Sequence, residues 1–242
     1  MSDKSISYDV NGITEDLLRS RIDFYKVLSS NFLYAPDEER VRRFLSPDMI
    51  KNLDTLFGSA VSRMFIEFTE QIRDPKEDSI SLRQEFMDLF KVPTGRYVAP
   101  YESVYRSSGK ECAKRVSGML MSEITVDVQR WYRLAAAEIA SDAGELPDHI
   151  GMEFGFMAYL CEKEKSFAHN RDTQRATRAR EMQKDFLATH ILTWITMLRD
   201  KIREHSILSY YPAIAELAVA FAHLDKDFLY ETLSGQTLPN PP

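Results

Sequence analysis

The sequence predicts an all-α protein, a single compact multi-helix domain. Apolar residues recur at spacings of three and four along most of the 242 residues, no stretch sustains the two-residue alternation of a half-buried strand, and no internal repeat is present. The composition agrees. Apolar residues make up 44% of the chain, with fourteen Phe, eleven Tyr and ten Met, so a full core can form without disulfide or metal staples.

Each element can be read in turn. Thr14 is a helix cap for a segment carrying Leu18, Ile22, Tyr25, Leu28 and Phe32 on one stripe, stopped by Pro36. Shorter helices are expected over 37–45 and 47–57, the second ended by Gly58, and over 59–72, with Val61, Met64, Phe65 and Phe68 on one face. Asp74-Pro75 breaks the chain before a helix over 79–90 whose apolar side holds Leu82, Phe86, Leu89 and Phe90. With two prolines and Gly95, residues 91–100 read as loop. A long helical pattern runs over 116–139, and Gly144 and Pro147 separate it from the next. From 147 to 162 nearly every face is apolar, which predicts a central helix, and Gly151, Gly155 and Ala158 would let neighbours approach closely. Residues 173–204 continue helical with a bend near Thr189, and Pro212 opens a last helix to about Tyr230. The expected organisation is a flexible N-terminus (1–13), one helical domain (14–232) and a disordered, proline-rich tail (233–242).

Several function classes are disfavoured. A net charge of −6 opposes nucleic-acid binding, and the basic run of Arg171, Arg175, Arg178, Arg180 and Lys184 is interleaved with Asp172, Glu181 and Asp185, as on a solvated face. Two cysteines, Cys112 and Cys161, suggest neither a disulfide framework nor a metal cluster and fit a reducing compartment. Residues 1–11 carry Asp3 and Asp9 and lack an apolar run, so no secretory signal is expected, and no run of about eighteen apolar residues suggests a membrane span. A cytoplasmic protein is expected. Gly109-Lys110 lacks the rest of a phosphate loop, and no HExxH, CxxC, GxSxG or Glu-x-x-His pair occurs. No catalytic residue, metal site or cofactor is therefore expected. His149 and Glu153, four apart, are too few for a metal.

Two segments carry what remains. Pro100-Tyr101-Glu102-Ser103-Val104-Tyr105 places an acid among aromatics, where Glu102 can accept a guanidinium or the tyrosines can simply pack. Glu145-Leu146-Pro147-Asp148-His149 precedes the central helix, where Asp148 either lies in its first turn to satisfy backbone N–H groups or belongs to a groove at that pole. Both pairs of readings stand on the sequence.

In order along the chain, Phe86-x-x-Leu89-Phe90, then 100–105, then 145–149 with Glu153 and Phe156-Met157, resemble the TorD/DmsD/NarJ group of maturation chaperones, as do His190-x-x-x-Trp194 and the Tyr210-Tyr211 helix. The resemblance spans roughly residues 15–229. It implies an all-α cytosolic chaperone, not an enzyme, whose partner is the catalytic subunit of a molybdopterin-dependent oxidoreductase. Such a chaperone binds the twin-arginine signal peptide and immature body of its client and holds it for cofactor insertion before export or assembly. Phe86, Leu89, Phe90, Pro100, Tyr101, Glu102, Tyr105, Glu145, Pro147, Asp148, His149 and Glu153 would form the peptide site, an apolar trench with acidic edges. The chain departs from the group at Lys91-Val92-Pro93, where many members have glycine soon after the Leu-Phe pair. Monomer and helix-swapped dimer both remain open, and a helical metal-dependent enzyme or a scaffold for a mature subunit are the alternatives.

Overall fold

The computed structural model describes residues 14–93, 95–106, 122–137 and 144–235. The expected flexible N-terminus, most of the expected tail, and parts of the helix foreseen over 116–139 lie outside the described residues. Eleven α-helices are described: α1 (Glu15–Leu33), α2 (Glu38–Phe44), α3 (Pro47–Phe57), α4 (Ser59–Gln71), α5 (Pro75–Phe86), α6 (Glu102–Arg106), α7 (Glu123–Leu134), α8 (Ile150–His169), α9 (Thr173–Phe186), α10 (Leu192–His205) and α11 (Tyr210–Ser234). Two π turns, π1 (Met87–Lys91) and π2 (Leu187–Ile191), continue α5 and join α9 to α10. The all-α expectation holds, and no strand occurs among the described residues.

Local chemistry sets most boundaries. Thr14 accepts from Leu17 N, Asp37 from Arg40 N, Ser122 from Thr125 N and Asp172 from Arg175 N, each satisfying a backbone donor of a first turn. Gly58 at φ +79° ends α3, and Gly235 at φ +73° closes α11, a turn beyond the expected end.

Several boundaries differ from expectation, among them the start of α11, which lies at Tyr210 rather than Pro212. α5 begins at Pro75 rather than Ser79, because Asp74 caps Lys76 N and proline is tolerated in a first turn. α7 begins at Glu123 and stops at Leu134; Ala136 at φ 52° turns the chain out of the helix, so the pattern does not continue through 135–137. α8 begins at Ile150 rather than at Pro147, with His149 as its cap. The bend expected near Thr189 is π2, a widened turn inside an otherwise continuous rod.

The apolar α8 is central, lying between α1 and α9, while α11 packs against α10, α4 and α9. Gly151 permits the close approach of α1: a Cβ there would lie 2.6 Å from Leu33 Cγ and 3.1 Å from the Ser29 carbonyl oxygen. Aromatic side chains fill the centre, Phe154 beside Tyr25 and Phe32, and Tyr211 beside Phe86 and Phe90. No helix among the described residues is long and apolar enough to cross a membrane.

Candidate functional site

The loop after π1 and the turn before α8 meet. Tyr101 and His149 form an isolated antiparallel bridge, in which Glu102 N donates to Asp148 O at 2.9 Å and Ile150 N donates to Pro100 O at 2.9 Å. Side chains extend it. Ser103 N donates to Asp148 Oδ2 at 3.0 Å, Tyr101 OH to Glu145 Oε2 at 2.5 Å, and the Tyr101 and His149 rings meet edge to face. Tyr132 of α7 fastens the turn from behind through a 2.8 Å bond to Pro147 O. Segments separated by some forty residues thus form one junction.

Both π turns serve this junction. Leu89 O of π1 accepts Val98 N at 2.8 Å, folding the loop back, and Lys91 of π1 pairs with Glu145. In π2, Thr189 O accepts Arg106 Nη1 at 3.0 Å, and His190 Nδ1 lies 2.9 Å from Glu102 Oε2. A π turn breaks the regular i to i−4 ladder and re-aims the groups within it, so such turns concentrate at functional sites.

Behind the bridge lies a buried acidic pair. Glu102 and Glu153 are both fully buried, and Trp194 Nε1 donates to Glu153 Oε2 at 3.2 Å. Burial and the neighbouring Glu102 carboxylate push Glu153 well above the ordinary carboxylate range. Burial also acts to raise Glu102, but hydrogen bonds from His190 and Arg106 outweigh it and hold that carboxyl below its usual value. Burial lowers His149 to about 4, leaving a neutral ring whose Nδ1 accepts Gly151 N as the α8 cap. At the outer edge burial raises Glu145, yet bonds from Lys91 and Tyr101 bring it below its normal range.

The expected open trench with acidic edges needs correction. Phe86, Leu89, Phe90, Pro100, Glu102, Pro147, Asp148, His149 and Glu153 are all buried, and only Tyr101, Tyr105 and Glu145 of the twelve reach the surface. For Phe86, Leu89 and Phe90 the reason is their helical spacing, which turns them into the core, where Phe90 meets Phe32 and both phenylalanines meet Tyr211. Glu102 does accept a guanidinium, but that of Arg106 in its own helix. Asp148 precedes the cap of α8 rather than lying in its first turn, and serves Ser103 N across the junction.

Residues outside the expected set complete the site: Lys91, Arg106, Tyr132, His190 and Trp194. His190 and Trp194, four apart on one helical face, were visible as a pair, whereas nothing local marks Lys91 or Arg106 as partners of distant acids. Tyr105 packs on Trp194 with ring planes tilted by 31° and centroids 5.3 Å apart, next to exposed Val104 in the chain. A depression of about 610 Å³ lies elsewhere, over α1 and α8, its rim closed by Lys26–Glu162 and Glu15–Lys165 pairs. Among the described residues no three His, Cys, Asp or Glu side chains are grouped to hold a metal.

The family model described as the nitrate reductase delta subunit matches residues 54–200, more than half of the chain and both halves of the junction. The chain belongs to that family. Within the same TorD/NarJ group, it is 24% identical over 221 residues to the chaperone protein TorD of Vibrio cholerae serotype O1, covering 90% of this chain and 95% of that one. The chaperone protein TorD of Vibrio vulnificus is 22% identical over 213 residues, 86% of this chain and 94% of its own. The selenate reductase assembly chaperone protein of Thauera selenatis is 28% identical over 149 residues, 61% of this chain and 72% of its own. These family members are named as chaperones and assembly proteins, not as catalysts.

Proposed function

We propose that the protein is a cytosolic chaperone that binds the signal peptide and immature catalytic subunit of a molybdenum-dependent oxidoreductase. It holds this client for cofactor insertion before export or assembly. The observation that carries this reading is the junction: one bridge, Tyr101 to His149, holds the partly exposed Tyr101 and Glu145, with Tyr105 one turn along α6, over a buried base. The names of the relatives support the class of client.

A twin-arginine signal offers two guanidinium groups followed by an apolar segment able to become a helix. Burying four apolar client side chains contributes about 6 to 12 kcal/mol gross, at roughly 1.5 to 3 each. Ordering the segment costs about 2 to 5 kcal/mol. Ion pairs at an exposed edge add about 0 to 1 kcal/mol each. Apolar contact therefore supplies affinity, and Glu145 chiefly sets register.

The test uses a synthetic peptide with two consecutive arginines and a leucine-rich segment, titrated calorimetrically. Wild type should bind it, and Tyr101→Ala and Tyr105→Ala, which alter half-exposed side chains, should each weaken binding about tenfold while far-UV spectra and melting stay near wild type. A wild type that ignores the peptide, or variants that bind it undiminished, would overturn the proposal.

A further inference from the structure

Two acids at the junction are already paired with cations of the same chain. Lys91 of π1 pairs with Glu145, and Arg106 of α6 pairs with Glu102. The two pairs differ in how firmly they are held. Arg106 spans Glu102, which is fully buried and also bonded to His190, and the Thr189 carbonyl in π2. Withdrawing it would leave an inner carboxylate with one partner fewer. Lys91 offers a single ammonium, 27% exposed, to a Glu145 carboxylate that is itself 12% exposed. Glu145 Oε2 keeps its bond from Tyr101 OH when the ammonium leaves, and the Lys91 amine, 5.5 Å from the Phe86 ring centroid, needs only rotation about its own side chain to reach water.

We infer that Lys91 is an internal stand-in for a client cation: it occupies Glu145 in the free protein and is displaced from it by a guanidinium of the bound segment. The inference rests on the peptide-binding reading above and adds its selectivity. A guanidinium presents a planar fork that can satisfy a carboxylate and a neighbouring acceptor together, whereas a client ammonium would replace one point charge by another with no gain. The Lys91–Glu145 pair is thus a threshold that arginine crosses and lysine does not.

Three peptides alike except for an Arg-Arg, Lys-Lys or Gln-Gln pair, titrated into the full-length protein, separate the possibilities. Wild type should prefer Arg-Arg over Lys-Lys about tenfold. Lys91→Met, or Lys91→Gln if the first variant melts early, should tighten both cationic peptides about tenfold or more, narrow the preference between them, and leave Gln-Gln unchanged. The Lys91 amine should also react faster with an acylating reagent once the Arg-Arg peptide is bound, and no faster with Gln-Gln. Wild type that prefers Arg-Arg, with Lys91 variants that bind it no tighter, would overturn the role of Lys91 and leave the peptide reading standing. Wild type that binds all three alike would overturn the selectivity and the role of Lys91 and leave apolar peptide binding standing; wild type that binds none would overturn both.

Discussion

Arg21 of α1 and Asp225 of α11, 204 residues apart, form a buried two-point ion pair, Nε to Oδ1 at 2.5 Å and Nη2 to Oδ2 at 3.0 Å. Tyr25 OH donates to the same carboxylate at 2.6 Å, and Gln183 Oε1 accepts from Arg21 Nη2 at 2.6 Å. Glu164 of α8 joins the set by accepting from Arg180 Nε and Gln183 Nε2, each at 2.7 Å. Two cations and two carboxylates balance inside the protein, each with hydrogen bonds that offset its desolvation. This layer ties α1, α8, α9 and α11 in one register, at the end of α8 away from the Tyr101–His149 junction.

Breaking that layer on one side should be costly. Arg21→Met leaves Asp225 buried beside Tyr25 and is expected to cost about 3 to 5 kcal/mol in urea unfolding. Adding Asp225→Asn should recover part of this, with a coupling of about 1 to 3 kcal/mol in the double-mutant cycle. Strictly additive losses would show that the pair contributes no more than its separate side chains.

Gly151→Ala tests the contact of α1 with α8. Alanine favours a helix interior by about 1 kcal/mol over glycine, but the new methyl would stand 2.6 Å from Leu33 Cγ. Overpacking of this kind typically costs about 1 to 3 kcal/mol, so a net loss in melting temperature is expected. Gly155→Ala, whose methyl meets only Ser29 Oγ at 3.3 Å, should lose less. A Gly151→Ala protein as stable as wild type would mean that Leu33 yields freely.

His149 should make stability depend on pH in a defined direction. Its folded value of about 4 lies below the ordinary 6.5, chiefly through burial, so between these limits the unfolded chain binds the proton and the folded one does not. Stability is therefore present above about 6.5 and is lost as pH falls through this window, by at most on the order of 3 kcal/mol. His149→Asn keeps an acceptor at the α8 cap but cannot titrate, and should flatten the difference between pH 6.5 and 5. Parallel wild-type and variant curves across that range would count against a neutral, buried His149.

The sequence alone determined most helices and several of their stops, because caps such as Thr14, breakers such as Gly58, and the apolar spacing of α1 and α8 act within a turn or two of the chain. It also singled out the two segments that meet at the Tyr101–His149 bridge, since proline, acid and aromatic residues have no reason to gather in a merely folded helix. Tertiary structure decided the rest. Whether Glu102 faces water or Glu153 and His190 depends on α8 and π2, which lie tens of residues away, and no local signal carries that desolvation. The same holds for Lys91: its pairing with Glu145 exists because a π turn and a bridge between distant segments place an ammonium beside a carboxylate. Helix formation is governed by short-range backbone chemistry, whereas the charge state and accessibility of a side chain are set by everything packed around it.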